Sequence, residues 1–113
     1  QVPAHKITLG IVLLGYDWVG GVGSTVDYEQ AMSRAESHGA TVRRGDDGSP
    51  WFTYQGGSGN EHEVWFEDAE SVRPKLDLVT DYGLGGVFFW RLGGEDPDVW
   101  PVLRSVTSSD WKE

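Results

Sequence analysis

Residues 85–97 read Gly-Gly-Val-Phe-Phe-Trp-Arg-Leu-Gly-Gly-Glu-Asp-Pro, an apolar run with glycine pairs on both sides and Asp-Pro beyond. The run lacks polar alternation, so a strand formed here is buried on both faces, the pattern of a parallel sheet covered by helices. Residues 6–14, Lys-Ile-Thr-Leu-Gly-Ile-Val-Leu-Leu, repeat that pattern. Two such strands point to an α/β fold. One ends at Trp90 and the other at Gly15-Tyr16-Asp17-Trp18, and α/β folds place their ligands at the carboxyl ends of parallel strands. A flat ring there suits the apolar face of a sugar, although a tryptophan closing a strand also packs readily as core.

The glycines at 20, 21 and 23 read as a flexible exit from the first strand. Asp27 and Gln30 have the spacing of a capping box, which predicts a helix carrying Tyr28, Ala31, Met32 and Ala35 on one face and stopping at His38-Gly39. His38 is then a last-turn cation favoured by the helix dipole. Residues 40–44, a turn at Asp46-Asp47-Gly48-Ser49 and Trp51-Phe52-Thr53-Tyr54 predict an antiparallel hairpin. A second turn at 56–60 leads into a strand at 61–66. His62-Glu63 falls within it and lacks the second histidine of a zinc helix, so no metal site is expected.

Glu67 and Asp68 stand where that strand ends. Adjacent strand residues face opposite ways, so at most one aims at a common pocket. Either Asp68 or Ser71 caps the next helix; with Ser71 as the cap, Pro74 falls in its first turn. Val72, Leu76, Val79 and Tyr82 form the buried stripe of that helix, and a last short helix starts at Asp96-Pro97. Strand-helix-strand connections of this size make parallel neighbours. Three parallel strands then gather Tyr16, Asp17, Trp18, Glu67, Asp68 and Trp90 on one edge, with Arg91 beside them.

The formal charge is -9 over 113 residues, which disfavours nucleic acid and anionic membranes as partners. The longest apolar run is too short to span a bilayer, and no signal-peptide pattern is expected at the start. No cysteine is present, which leaves the compartment open.

Four segments resemble, in order, the carboxyl-terminal part of glycoside hydrolase family 18, specifically the spore-cortex and peptidoglycan N-acetylglucosaminidase branch, and chitinases more broadly. Residues 9–18 are similar to the sixth barrel strand, Tyr28-Glu29-Gln30-Ala31 to the first helix of the chitinase insertion domain, 62–68 to the seventh strand and 86–97 to the eighth. The likeness covers about residues 5–104. It implies a partial (β/α)8 barrel, the last three strands and helices, at 5–23 and 61–104, with a small α+β insertion at 24–60 and a tail at 105–113. A complete barrel takes about 250 residues.

The resemblance further implies a groove for β-1,4-linked N-acetylglucosamine polymers, chitin or peptidoglycan, and an extracellular or cell- or spore-envelope location. Trp90 would floor the subsite of the reacting sugar, with Tyr16 and Asp68 lining the groove and Trp18, Asp17, Glu67 and Arg91 as further substrate-binding candidates. No cofactor is implied. Catalysis in the family is substrate-assisted, with one glutamic acid from a DxxDxDxE motif as the proton donor. These 113 residues lack that motif, so no catalytic residue is nominated and the chain alone is expected to be inactive. Val12 and Leu14 replace a proline and a tyrosine usual in the sixth strand. Two rivals stay open: a non-catalytic amino-sugar-binding module, and a structural segment that self-associates or pairs with the missing barrel half through its open edges.

Overall fold

The structure, a computed structural model, describes residues 2–90 and 93–107. Two sheets share the chain. Strand β1 (Thr8–Val12) pairs in parallel with β7 (Gly86–Trp90), from Thr8 opposite Gly86 to Val12 opposite Trp90. The second sheet is antiparallel, ordered β3-β2-β6-β5-β4, from β2 (Gly15–Val19), β3 (Val22–Val26), β4 (Arg43–Arg44), β5 (Pro50–Gln55) and β6 (Glu61–Trp65). Helix α1 (Tyr28–Ser37) packs on one face of it, while α2 (Ala69–Asp81) and α3 (Val99–Thr107) cover the parallel pair. The chain is thus a mixed α/β segment in which an antiparallel α+β lobe lies, in sequence, between the two parallel strands.

The strand topology differs from the expected one at several points. The segment 61–66 is no third parallel strand: Glu63, Val64 and Trp65 pair antiparallel with β2, and Glu61–Trp65 with β5. The two strands read as sixth and eighth pair directly, so they are immediate neighbours in one sheet. Nor do Tyr16, Asp17 and Trp18 close the parallel strand, which ends at Val12. They belong to β2, whose burial alternates, with Gly15 and Asp17 inward and Tyr16 and Trp18 outward. Gly20 and Gly21, both at positive φ, close the β2–β3 hairpin, so the supposed flexible exit is a tight turn. The inserted sheet therefore includes residues 15–23 and 61–65, which had been expected in the barrel part.

Each lobe has its own core. Val26, Ala31, Ala35, Phe52, Val64 and Phe66 fill the space between the inserted sheet and α1. Ile11 and Leu13 meet Val72, Leu76 and Val99 under the parallel pair, with Leu9, Val87 and Phe89 at the margin. Every fully buried aliphatic side chain of this kind contributes about 1.5–3 kcal/mol. The opposite face of the parallel pair is bare: Val12, Phe88 and Trp90 are 53%, 55% and 57% exposed.

The helix ends follow the predicted chemistry, with one shift. Asp27 and Gln30 make both bonds of the capping box at α1. At α2 the cap is Asp68, which accepts from Ser71 N while Ser71 Oγ accepts from Asp68 N. Pro74 then lies in the second turn, where its missing N–H removes one internal bond. Helix α3 begins at Val99, two residues after Pro97. Among the described residues no helix is long and apolar enough to cross a membrane. Arg91 and Trp111 lie outside the described residues.

The turn from β1 into β2 needs a glycine, because a Cβ on Gly15 would run into the carbonyl oxygen of Trp65. Gly15→Ala is expected to cost about 3 kcal/mol in urea unfolding. Gly57→Ala, at a position open on all sides, should change stability by less than about 0.5 kcal/mol.

Candidate functional site

The exit of β1 is where the two lobes meet. Leu13 N donates to the carbonyl of Trp90 at 3.3 Å, which ties the end of β7 to the start of the inserted sheet. Immediately beyond lies an open hollow of about 260 Å³. Tyr16 and Trp65 form its aromatic walls, and Leu14, Asp47, Ser49 and Glu67 complete its rim. Tyr16 and Trp65 are direct cross-strand partners, so the hollow is built on paired positions of β2 and β6.

The rim acids are held in place. Glu67 Oε1 accepts from Ser71 Oγ at 3.0 Å and pairs with Lys75 Nζ at 2.9 Å. Asp47 accepts from the Ser49 amide and hydroxyl at 3.0 and 3.1 Å, and these bonds keep its carboxyl below the ordinary value. Both are acceptors placed beside apolar ring faces, the combination that fixes the hydroxyls and the flat side of a pyranose.

Tyr16 is 47% exposed and Trp18 43%, their rings 5.5 Å apart, so both face solvent beside the hollow. Trp90 is exposed on the neighbouring strand end.

The other two sequence candidates face inward. Asp17, 4% exposed, accepts from Tyr54 Oη at 2.6 Å, pairs with Arg34 at 2.6 Å and meets His62 Nδ1 at 2.7 Å. Burial alone would raise its pKa, but the bonds from Tyr54, His62 and Arg34 outweigh this and leave it lowered. Burial and the bond to Asp17 push Tyr54 up to about 12. The Tyr54 ring lies between those of His38 and His62, at 4.4 and 4.5 Å. Asp68, 9% exposed, is clasped by Arg44 through two bonds of 2.8 and 2.6 Å while capping α2. Burial opposes its charge, yet Arg44 and the Ser71 amide hold its pKa down. Neither acid lines the hollow: Asp17 ties β2 to α1, and Asp68 ties α2 to β4.

Trp65, Asp47 and Ser49 were absent from the sequence candidates. Alternation supplied the signal for Trp65, since Val64 and Phe66 on either side are the buried positions. For Asp47 and Ser49 no local signal existed beyond their turn chemistry. Among the described residues no cluster of three or more His, Asp or Glu side chains could hold a metal ion.

Residues 1–96 match the family model described as glycosyl hydrolases family 18. The cortical fragment-lytic enzyme of Bacillus subtilis is 34% identical over 91% of this chain. The chain spans only about a quarter, 26%, of that relative's length. Of the solved structures, the Bacillus megaterium spore cortex-lytic enzyme SleL is similar with a TM-score of 0.82 and 32% identity, over 91% of this chain and 26% of its own. A chitinase from Chromobacterium violaceum reaches a TM-score of 0.84 and 37% identity, over 95% of this chain and 34% of its own.

Asp17→Asn leaves Arg34 and His62 without their buried anion and is expected to cost roughly 3 kcal/mol at neutral pH. The lowered pKa makes the Asp17 contribution complete above about pH 4 and lost as pH falls through the folded-state value. The raised Tyr54 value acts at the other end: its contribution is full below about pH 10 and disappears as pH rises through about 12. Urea unfolding against pH should show the gap between wild type and Asp17→Asn closing at low pH, and an absorbance titration should show Tyr54 ionising earlier in Asp17→Asn than in the wild type, where the bond to Asp17 adds to the effect of burial.

Proposed function

Since the chain belongs to glycoside hydrolase family 18, we propose that these residues form one wall and part of the floor of a groove for β-1,4-linked N-acetylglucosamine polymers. The observation that carries this reading is the junction at Leu13: one backbone bond brings exposed Trp90 to the exit of β1, where the Tyr16 hollow begins. Trp90 offers a ring face for stacking, Tyr16 a phenol and a ring, and Glu67 a fixed acceptor. Trp18 extends the aromatic surface. Asp17 and Asp68 are positioning residues. The substrate is chitin-like or peptidoglycan glycan, and its place is extracellular or in a spore or cell envelope.

The division of labour follows from the chemistry. Family 18 hydrolysis needs a glutamic acid within hydrogen-bond reach of the glycosidic oxygen. The DxxDxDxE motif that supplies it is not among these 113 residues, and the adjacent Glu67 and Asp68 do not stand in for it, because Asp68 is locked on Arg44. The chain by itself binds the polymer and does not cleave it. Titration calorimetry with N-acetylglucosamine tetramer should show binding that weakens roughly tenfold in Trp90→Ala, the loss of one stacked ring. Cleavage of the tetramer by the isolated chain, abolished by Glu67→Gln, would overturn the non-catalytic part of this reading.

A second reading concerns the bare sheet face. Parallel sheets are normally covered on both sides, and Val12, Phe88 and Trp90 are open on this one. The natural cover is the rest of a barrel, or a second copy of this chain where that is missing. Light scattering of the 113-residue chain is expected to show association that grows with concentration, and a monomer throughout the micromolar range would count against it.

A further inference from the structure

We propose that the glycan path, which rests on the groove reading above, runs on across the outer face of the inserted sheet over a row of four aromatic rings, Trp18, Tyr16, Trp65 and Trp51. The pairing register sets the row. Tyr16 is opposite Trp65 and Trp65 opposite Trp51, so paired positions on β2, β6 and β5 carry aromatic side chains on one face of the sheet. Their sequence neighbours Asp17, Val64 and Phe52 are buried against α1, which places the rings on the other face. Tyr16 and Trp18 are 5.5 Å apart, and Trp65 and Trp51 stack at 5.4 Å with planes 14° apart.

Glycines hold two of the rings flat. A Cβ on Gly23, the cross-strand partner of Trp18, would lie 2.6 Å from its indole. A Cβ on Gly45 would lie 2.8 Å from the indole of Trp65. Where a side chain would prop the ring up, the glycine lets it lie across the neighbouring backbone. Trp18 then shows its far face to solvent, and a ring fixed in advance loses little entropy when a ligand settles on it.

The polar groups around the row select the occupant. Glu63 Oε1 accepts from Trp65 Nε1 at 2.6 Å, which sets a carboxylate at the edge of the platform. Asp47 stands at the hollow. Carboxylates only accept, so they suit a ligand rich in hydroxyl and amide N–H donors and repel polyanions. A neutral pyranose chain has those donors on its rim and apolar faces between them. The row is also continuous with the hollow, because Tyr16 and Trp65 belong to both.

The test is length dependence. Calorimetry of the 113-residue chain with N-acetylglucosamine dimer and hexamer should give tighter hexamer binding, and Trp51→Leu should weaken the hexamer roughly three- to tenfold while leaving the dimer unchanged. Trp51→Phe, which keeps a ring, should recover most of the loss. In the wild type, the Trp51 indole N–H resonance should shift on adding hexamer and stay still with dimer, a readout that needs no variant to fold. Hexamer affinity unchanged in Trp51→Leu, or an unmoved Trp51 resonance, with binding still weakened roughly tenfold in Trp90→Ala, would sink the aromatic row and leave the groove standing. No binding of either oligomer by the wild type would remove both.

Discussion

The clasp between Arg44 and Asp68 holds the two lobes in register. Arg44 comes from a two-residue strand at the far edge of the inserted sheet, Asp68 from the cap of the helix that covers the parallel pair. Two charge-assisted bonds in a fork geometry fix direction as well as distance. The same carboxylate caps α2, so the helix start and the lobe junction are set by one group. The loop after β7 adds a second tie: Asp96 accepts from Ala69 N, and Glu29 N at the head of α1 donates to the Gly94 carbonyl. The hollow with Tyr16, Trp65 and Glu67 lies between these fastenings. Its shape depends on charges that never touch its contents.

Local chemistry was readable from the residues wherever it was local in fact. The capping box at Asp27 and Gln30, the stop at His38-Gly39 and the turns at 46–49 and 56–60 rest on contacts a few residues apart. The apolar runs gave β1 and β7, because continuous burial leaves a continuous pattern. The third parallel strand failed for a physical reason. Val64-Trp65-Phe66 looks buried on both sides, yet Trp65 is apolar because it stacks on Trp51 at an outer face, so aromatic content mimicked two-sided burial. Gly20-Gly21 was available as a hairpin signal flanked by Val19 and Val22 and was outweighed by the looser reading of a glycine-rich exit.

The candidate site was legible in its rings and not in its acids. Tyr16, Trp18 and Trp90 were placed by the apolar runs that precede them and are exposed in the structure, although a tryptophan closing a strand packs as readily in a core. Asp17 and Asp68 stood at the right places in the chain, but their partners Arg34, Tyr54, His62 and Arg44 lie 17 to 45 residues away. Nothing local reveals such pairing. A carboxylate aimed at a ligand and one locked in an internal ion pair look the same until the fold closes. Membership of a glycoside hydrolase family makes exposed rings candidates for sugar stacking, and the backbone bond from Leu13 to Trp90 puts the end of β7 beside the start of the inserted sheet.

The β1 turn has a consequence for how the chain reaches this state. Gly15 and Phe66 sit against each other, so close that a Cβ on Gly15 would lie 2.5 Å from the Cα of Phe66. Thr8 meets Gly86 only after the whole inserted sheet has been traversed. Closing that span as a bare loop would carry the entropy of its full length. Once the inserted sheet has formed, its two ends emerge side by side and the remaining closure is a β-α-β step through α2. Order of events is thereby written into the geometry: the antiparallel lobe, built of hairpins, shortens the search for the parallel one, and a nascent chain can complete the distant pairing late and quickly.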